Sequence, residues 1–563
     1  MKIYSKIVVA TVAMLWGVAT LPAVAQEEGF TKQIEIERDY SATVSRADKI
    51  EIEPRLLDTT IVRPTMTYSI KSVAHQSDFR VGALKPIEMS TAQWSRPTNF
   101  YLNAGIGAPL QTDLDLAWTP VQRRATTLGL WLDHDGVMAR LTNLGGERLS
   151  ALGLRNRAGL AYKTTFASGA KLSADVDYRG TIANPYGGIA AVERNLLMAH
   201  DFGANVSVSG GFGKGSKLGY EVAARGGYLL GSNVGLAEGT LAQTKGASHT
   251  VHYAADMALV GLSRVERWLP TRVGAYFYGT HWGAPKRWQS SVVVMPEWSL
   301  RVAKHLPIEV AAGYDVAIAG GKGGFVDGLV GNLSVAWDKN SRAVPYLRAS
   351  AERENNLVRT AMWIAPYADL ADVDSRRVYN AGLGLRGAAR RVSYNVHTGV
   401  RHYADYLYVM AVEGSPILDF GTAEALALYY AEAQAEYHPL RQLTISGAVE
   451  YRLPLGQSVE ALALRPLEGR LGVEYALGSK WLFGVKAHYA MAADYLCYKP
   501  ATQTTELMTM PQYVDLGASV EWRVTERLSA WLVGDNLLGQ TIYHLPTYRQ
   551  LGAGVRGGVR IVF

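Results

Sequence analysis

Lys171-Leu172-Ser173-Ala174-Asp175-Val176-Asp177-Tyr178-Arg179-Gly180 decides how this chain folds. Leu172, Ala174, Val176 and Tyr178 alternate with Ser173, Asp175, Asp177 and Arg179. Only a strand, whose side chains point to opposite faces in turn, converts a period of two into one apolar and one polar face. The pattern recurs toward the C-terminus. Leu443, Ile445, Gly447, Val449 and Tyr451 oppose Thr444, Ser446, Glu450 and Arg452; Leu467, Gly469, Leu471, Val473 and Tyr475 oppose Glu468, Arg470 and Glu474. Val514, Leu516, Ala518, Val520 and Trp522 oppose Tyr513, Asp515, Ser519 and Glu521.

The connections alternate too. Short turns are expected at 167–170, 213–216, 338–341, 387–390, 438–441, 477–480 and 524–527, with longer polar loops at about 181–197, 229–246, 353–376, 403–423, 453–465, 491–511 and 538–550. Tight periplasmic turns and longer extracellular loops mark a transmembrane antiparallel β-barrel. Strands counted from Phe100 to Phe563 number about 22, with roughly 18 as the lower limit. A soluble sandwich would hide its apolar face, but here the apolar faces end in rings: Trp118, Trp337, Tyr437, Tyr475 and Trp522 all sit beside expected short turns. An amphipathic ring belongs at that level, where headgroups meet the barrel wall.

Composition agrees with an all-β membrane protein. Among 563 residues there are 57 glycines, 31 tyrosines and a single cysteine, with 48% hydrophobic and 19% charged residues, which excludes a disulfide scaffold and a disordered chain. After the first 25 residues no apolar run is long enough for a membrane helix. A net charge of +7 spread over this length is too thin to indicate nucleic acid. Residues 1–25 carry Lys2 and Lys6, an apolar stretch from Ile7 to Trp16, and Ala23-Val24-Ala25, the layout of a cleaved secretory signal. Residues 26–98 are glycine-poor and punctuated by Pro54, Pro64, Pro86 and Pro97, which predicts an extended periplasmic arm before a barrel over 99–563.

The end of the chain carries a resemblance. Gly534-Asp535-Asn536-Leu537-Leu538-Gly539-Gln540-Thr541-Ile542-Tyr543, a loop with Pro546 and Tyr548, and a closing strand that ends in Phe563 together resemble the last two strands of TonB-dependent receptor barrels of the Bacteroidetes type. The resemblance implies a Gram-negative outer-membrane address and solute passage. It also implies that Phe563 is the signal read by the barrel assembly machinery. Receptors of that family hold a plug domain longer than the arm found here, so the sequence predicts a barrel without a plug and leaves TonB coupling in doubt.

Motifs for chemistry fail on inspection. Gly211 to Ser216 imitates a phosphate loop but is followed by a strand where a helix N-terminus is needed. Arg179 and Tyr186 occupy positions where a calcium loop beginning at Asp175 requires oxygen ligands. His249 and His252, like His397 and His402, are separated by an odd number of residues and point to opposite faces of a strand. Asp369, Asp372 and Asp374 read as a solvated loop. No acid or serine constellation licenses an enzyme, and neither a cofactor nor a metal site is expected.

The expected lumen lining is Asp175, Asp177, Arg179, Glu450, Arg452, Glu468, Arg470, Asp515, Glu521, Arg556 and Arg560, with both signs mixed. Tyr403, Tyr406, Tyr408, Tyr495 and Tyr498 are expected in outer loops, free to meet a solute or a lipoprotein partner. Outer-membrane lipid and lipopolysaccharide are the expected surroundings. Two roles follow: a barrel that passes a solute, or a non-transporting structural or assembly subunit whose arm adds a strand to a partner.

Overall fold

The computed structural model describes residues 99–563 except 124, 144–145, 188–195, 214, 233–234, 238–239, 243–246, 283–286, 321–326, 355–359, 362–364, 366–374, 416 and 457–461. The leader (1–25), the arm (26–98) and Asp369, Asp372 and Asp374 lie outside the described residues.

Twenty-two antiparallel strands, each paired with its sequence neighbour, close into one barrel. The first strand, Phe100–Ala108, pairs with the last, Gly554–Val562, from Tyr101↔Val562 to Ala108↔Val555. Closure removes the free edges that lipid could not satisfy. Because the strand number is even, the start of the first strand and the end of the last lie on one side of the barrel. There the Asn99 amide donates to the Phe563 carbonyl at 2.6 Å, and the Phe563 amide donates to Phe100 at 2.9 Å.

The tight turns at 390–391, 441–442, 478–480 and 524–527 share the end that holds Phe563, and the long connections 355–375, 456–466, 491–512 and 536–553 share the other. Two departures matter. One inner connection, 261–271, is long and holds the short helix Leu262–Arg264. At the outer end the expected loop at 403–423 is mostly strand, because Val392–Val412 and Asp419–Leu440 run 21 and 22 residues.

The outside of the wall is apolar and uncovered. Val294 is 55% exposed, Leu383 60% and Leu532 50%, values that a water-soluble sheet would not tolerate around its whole circumference. Trp118, Trp337, Tyr437, Tyr475 and Trp522 are all exposed at the inner end and form the girdle that the strand ends predict.

Ring–glycine pairs lock neighbouring strands on the inside. Tyr346 stands opposite Gly384, and a Cβ at that glycine would lie 2.1 Å from the tyrosine ring. With that space free, the ring stacks on His397 at 5.8 Å and donates its hydroxyl to Asn395 Oδ1 at 2.7 Å. Gly384→Val is expected to displace the ring and cost about 1–3 kcal/mol. A urea midpoint in lipid equal to that of the parent barrel would show that the pocket has slack.

Candidate functional site at the outer mouth

The two longest strands build this site. Crossing the bilayer takes about 10 residues of tilted strand. The hairpin Val392–Val412/Asp419–Leu440 therefore continues well beyond the lipid, and its tip turns across the opening. Ile417 packs on Leu197, while Leu407 and Phe420 pack against Ala199, Leu229, Trp282 and Ala361. Leu197, Ala199, Leu229 and Trp282 lie on the sixth, seventh and ninth barrel strands and Ala361 in the outer connection between the thirteenth and fourteenth, whereas the hairpin supplies the fifteenth and sixteenth.

A second hairpin, Ala493–Lys499/Thr504–Met510, completes the roof. It adds to the first as a parallel strand, Ala411↔Cys497 and Val412↔Tyr498, and bridges Leu462 through Tyr495. Beneath it Ala151, Tyr186, Leu418, Tyr495, Cys497, Met510 and Tyr548 form one apolar cluster, joined by Leu141 and Leu149 from the third and fourth strands, across the seam from this hairpin. Tyr186 stacks edge-on against Tyr548 with ring centres 5.0 Å apart and donates its hydroxyl to the Arg549 carbonyl at 2.8 Å. Burial pushes the Tyr495 hydroxyl up to about 12 and raises the Cys497 thiol above its usual value.

Polar ties hold the roof at its margins. Arg465 is buried, and its guanidinium donates to the carbonyls of Met491 (2.5 Å), Pro511 (3.3 Å) and Tyr543 (2.6 Å), so one side chain joins three outer segments. Lys499 pairs with Glu506 at 2.6 Å and Glu413 at 3.7 Å. The backbone amide of Ala463 donates to the Asp494 backbone carbonyl at 2.8 Å.

This arrangement corrects the expectation for the tyrosines. Tyr403, Tyr406 and Tyr408 are not loop residues: all three lie on the strand Val392–Val412 and pack with Val378, Leu426 and Leu428. Asp405 adopts φ +60°, which interrupts the alternation and puts Tyr403 and Tyr406, three residues apart, on the same side. Their rings meet edge-on at 5.1 Å under the Arg376 guanidinium, 4.9 Å and 5.5 Å from the two ring centres, and Arg376 is itself bonded to Glu354. Tyr495 is buried in the roof and Tyr498 is half-buried beside it. The sequence carries a strand signal here, since the 16 residues from Val396 to Ala411 contain no glycine beyond Gly399 and no proline.

The charged residues sit on the face opposite the exposed apolar belt, tied into short networks. Arg452 bonds Glu450 at 2.6 Å and Glu468 at 2.9 Å, and Glu468 lies 3.6 Å from His488. Arg560 bonds Glu521 at 2.5 Å. Arg556 spans the seam, reaching Asp535 at 2.8 Å and Asp113 at 3.7 Å. Asn205 donates to Asp175 at 3.0 Å, Arg179 lies 3.5 Å from Asp177, and Asp515 accepts the Asn536 amide at 3.0 Å. Arg470 lies opposite Ala448 and His488 with no ion pair among the described residues.

Higher on the wall is a group that patterning did not single out. Asp315, on the strand Leu306–Gly320, bonds Arg353 at 2.8 Å and Arg377 at 3.2 Å, and all three side chains are almost fully buried. Gly328 leaves the room that Arg377 fills.

No protein-family model matches this sequence, and no curated protein matches it. Solved structures do. The barrel superposes on the ferripyoverdine receptor of the Pseudomonas aeruginosa outer membrane with a TM-score of 0.61 at 10% identity, over 83% of this chain and 72% of that one. This barrel has the fold of a TonB-dependent receptor. The siderophore receptor PirA from Acinetobacter baumannii matches with a TM-score of 0.62 at 10% identity (82% and 80% covered), and the copper transporter OprC with 0.58 at 12% (83% and 80%). At such identity the receptor fold is shared, while the roof and the inner wall consist of this chain's own side chains.

Proposed function

We propose that this chain is an outer-membrane barrel that passes a solute, with the roof of the outer mouth as its gate. The observation that carries this reading is the apolar contact between the long hairpin and the opposite wall, Ile417 on Leu197 and Leu418 within the Tyr495 and Cys497 cluster. A barrel of this circumference without internal filling would be a wide pore. A cover built from strand tips can lift without disturbing any wall strand. The receptor fold supports an outer-membrane address, and Phe563, exposed at the end of the closing strand, suits recognition by the assembly machinery.

The test is single-channel recording in planar bilayers. The intact chain is expected to be silent or nearly so, and a variant in which residues 494–509 are replaced by a short Gly-Ser linker is expected to show large steady conductance. Deleting residues 27–94 in the same background separates a seal by the arm from a seal by the roof. If both deletions together still give silence, passage is excluded and the structural-subunit reading takes its place.

A further inference from the structure

The inner turns of the barrel carry an excess of positive charge. Turn 337–343 holds Lys339 and Arg342, turn 390–391 is Arg390-Arg391, turn 441–442 holds Arg441 and turn 478–480 holds Lys480. All six are exposed, and none makes an ion pair among the described residues. Arg527, in the next turn, lies over the Phe563 ring at 5.6 Å, so five successive inner turns each present a base. Few acids answer them. Asp338 is engaged by His305 at 3.6 Å and Arg301 at 3.9 Å, Glu436 by His438 at 2.8 Å, and Glu526 shares its turn with Arg527, which is not counted among the six.

The rings beside these turns say what the bases meet. Trp337 is two residues from Lys339, Tyr437 pairs across the sheet with Val392 next to Arg391, and Trp481 follows Lys480 and stacks on Trp522 at 5.9 Å. Every one of these rings is exposed on the lipid side. Such rings mark the plane where hydrocarbon gives way to headgroups. The bases just past them lie at the level of the lipid phosphates. They form an arc that follows the barrel wall, whereas a folded protein partner would need a compact patch.

We propose that this rim is a docking surface for anionic phospholipid headgroups, of the phosphatidylglycerol kind, in the leaflet that faces the inner turns. Six uncompensated cations require net negative charge, which a zwitterionic headgroup does not bring because its own ammonium offsets its phosphate. Contact would hold the barrel at a set depth, with the girdle above and the phosphates below.

The test uses the full chain reconstituted in an equimolar mixture of phosphatidylglycerol and phosphatidylethanolamine, with retained lipid identified by native mass spectrometry. Phosphatidylglycerol is expected to be enriched about tenfold, the enrichment falling as salt screens the rim. The combined variant Lys339→Gln, Arg390→Gln, Arg391→Gln and Arg441→Gln is expected to lose the enrichment while its gel band keeps the heat-modifiable mobility of a folded barrel. Competition of lysophosphatidylglycerol against lysophosphatidylcholine on the unaltered chain gives the same answer without a variant. Equal retention of the two lipids, enrichment that survives the four substitutions, or displacement of the lipid by a polyglutamate peptide at lower concentration each overturns the proposal, the last in favour of an acidic polypeptide.

Discussion

Asp315→Ala is expected to lower the stability of the barrel by about 3–5 kcal/mol. The aspartate side chain is 1% exposed and is shared by Arg353 and Arg377, which are 4% and 8% exposed. Removing the shared carboxylate leaves two guanidinium groups facing each other in a site that water barely reaches, so repulsion adds to the lost attraction. Asp315→Asn keeps the shape and an acceptor oxygen and should lose less. Urea unfolding of the reconstituted protein reads the difference. An alanine variant within about 1 kcal/mol of the parent would mean that solvent or a lipid headgroup already neutralises the two arginines.

A charge placed inside the roof should act on the mouth and spare the wall. Leu418 is 1% exposed among Ala411, Tyr495 and Cys497. Leu418→Asp puts a carboxylate where no partner waits, at a cost of at least about 3 kcal/mol, and the roof can avoid that cost by lifting. A shift of this size raises the lifted population about 100-fold. Cys497, the sole cysteine, reports the change, because it is 5% exposed under the closed roof and burial keeps it in the unreactive thiol form. Alkylation by a maleimide reagent is therefore expected to be slow in the parent and to accelerate by about that factor in the variant, with heat-modifiable mobility retained. Equal labelling rates would show that something other than apolar packing covers Cys497, and the gate reading would fall with it.

Asp315 belongs to the wall and Leu418 to the roof. The Asp315 group ties three strands of the barrel to one another, so its loss is felt by the whole sheet. The roof is built from tips and loops, and its loss is felt only at the opening. Conductance, thiol reactivity and global unfolding are thus separable measurements. A variant that moved all three together would show the roof and the wall to be one cooperative unit.

Alternation by itself determined the barrel. In Lys171–Gly180 and its later counterparts the period of two sorts side chains between lipid and lumen, because a strand offers no third direction. The same alternation puts Arg452, Glu468, Arg556 and Arg560 on the polar side of their strands, opposite the apolar belt, and sets the exposed rings from Trp118 to Trp522 at the strand ends. Tertiary structure alone decided what lies over the opening. Leu197 and Ile417 are 220 positions apart in the sequence, and nothing local announces that they touch. Tyr403 and Tyr406 share a face only because Asp405 takes a left-handed turn of backbone, a conformation that the bare sequence does not reveal. Local patterning reports what each strand needs from its own two sides. Contacts across the mouth depend on where closure of the sheet brings distant tips, and that is a property of the ring as a whole.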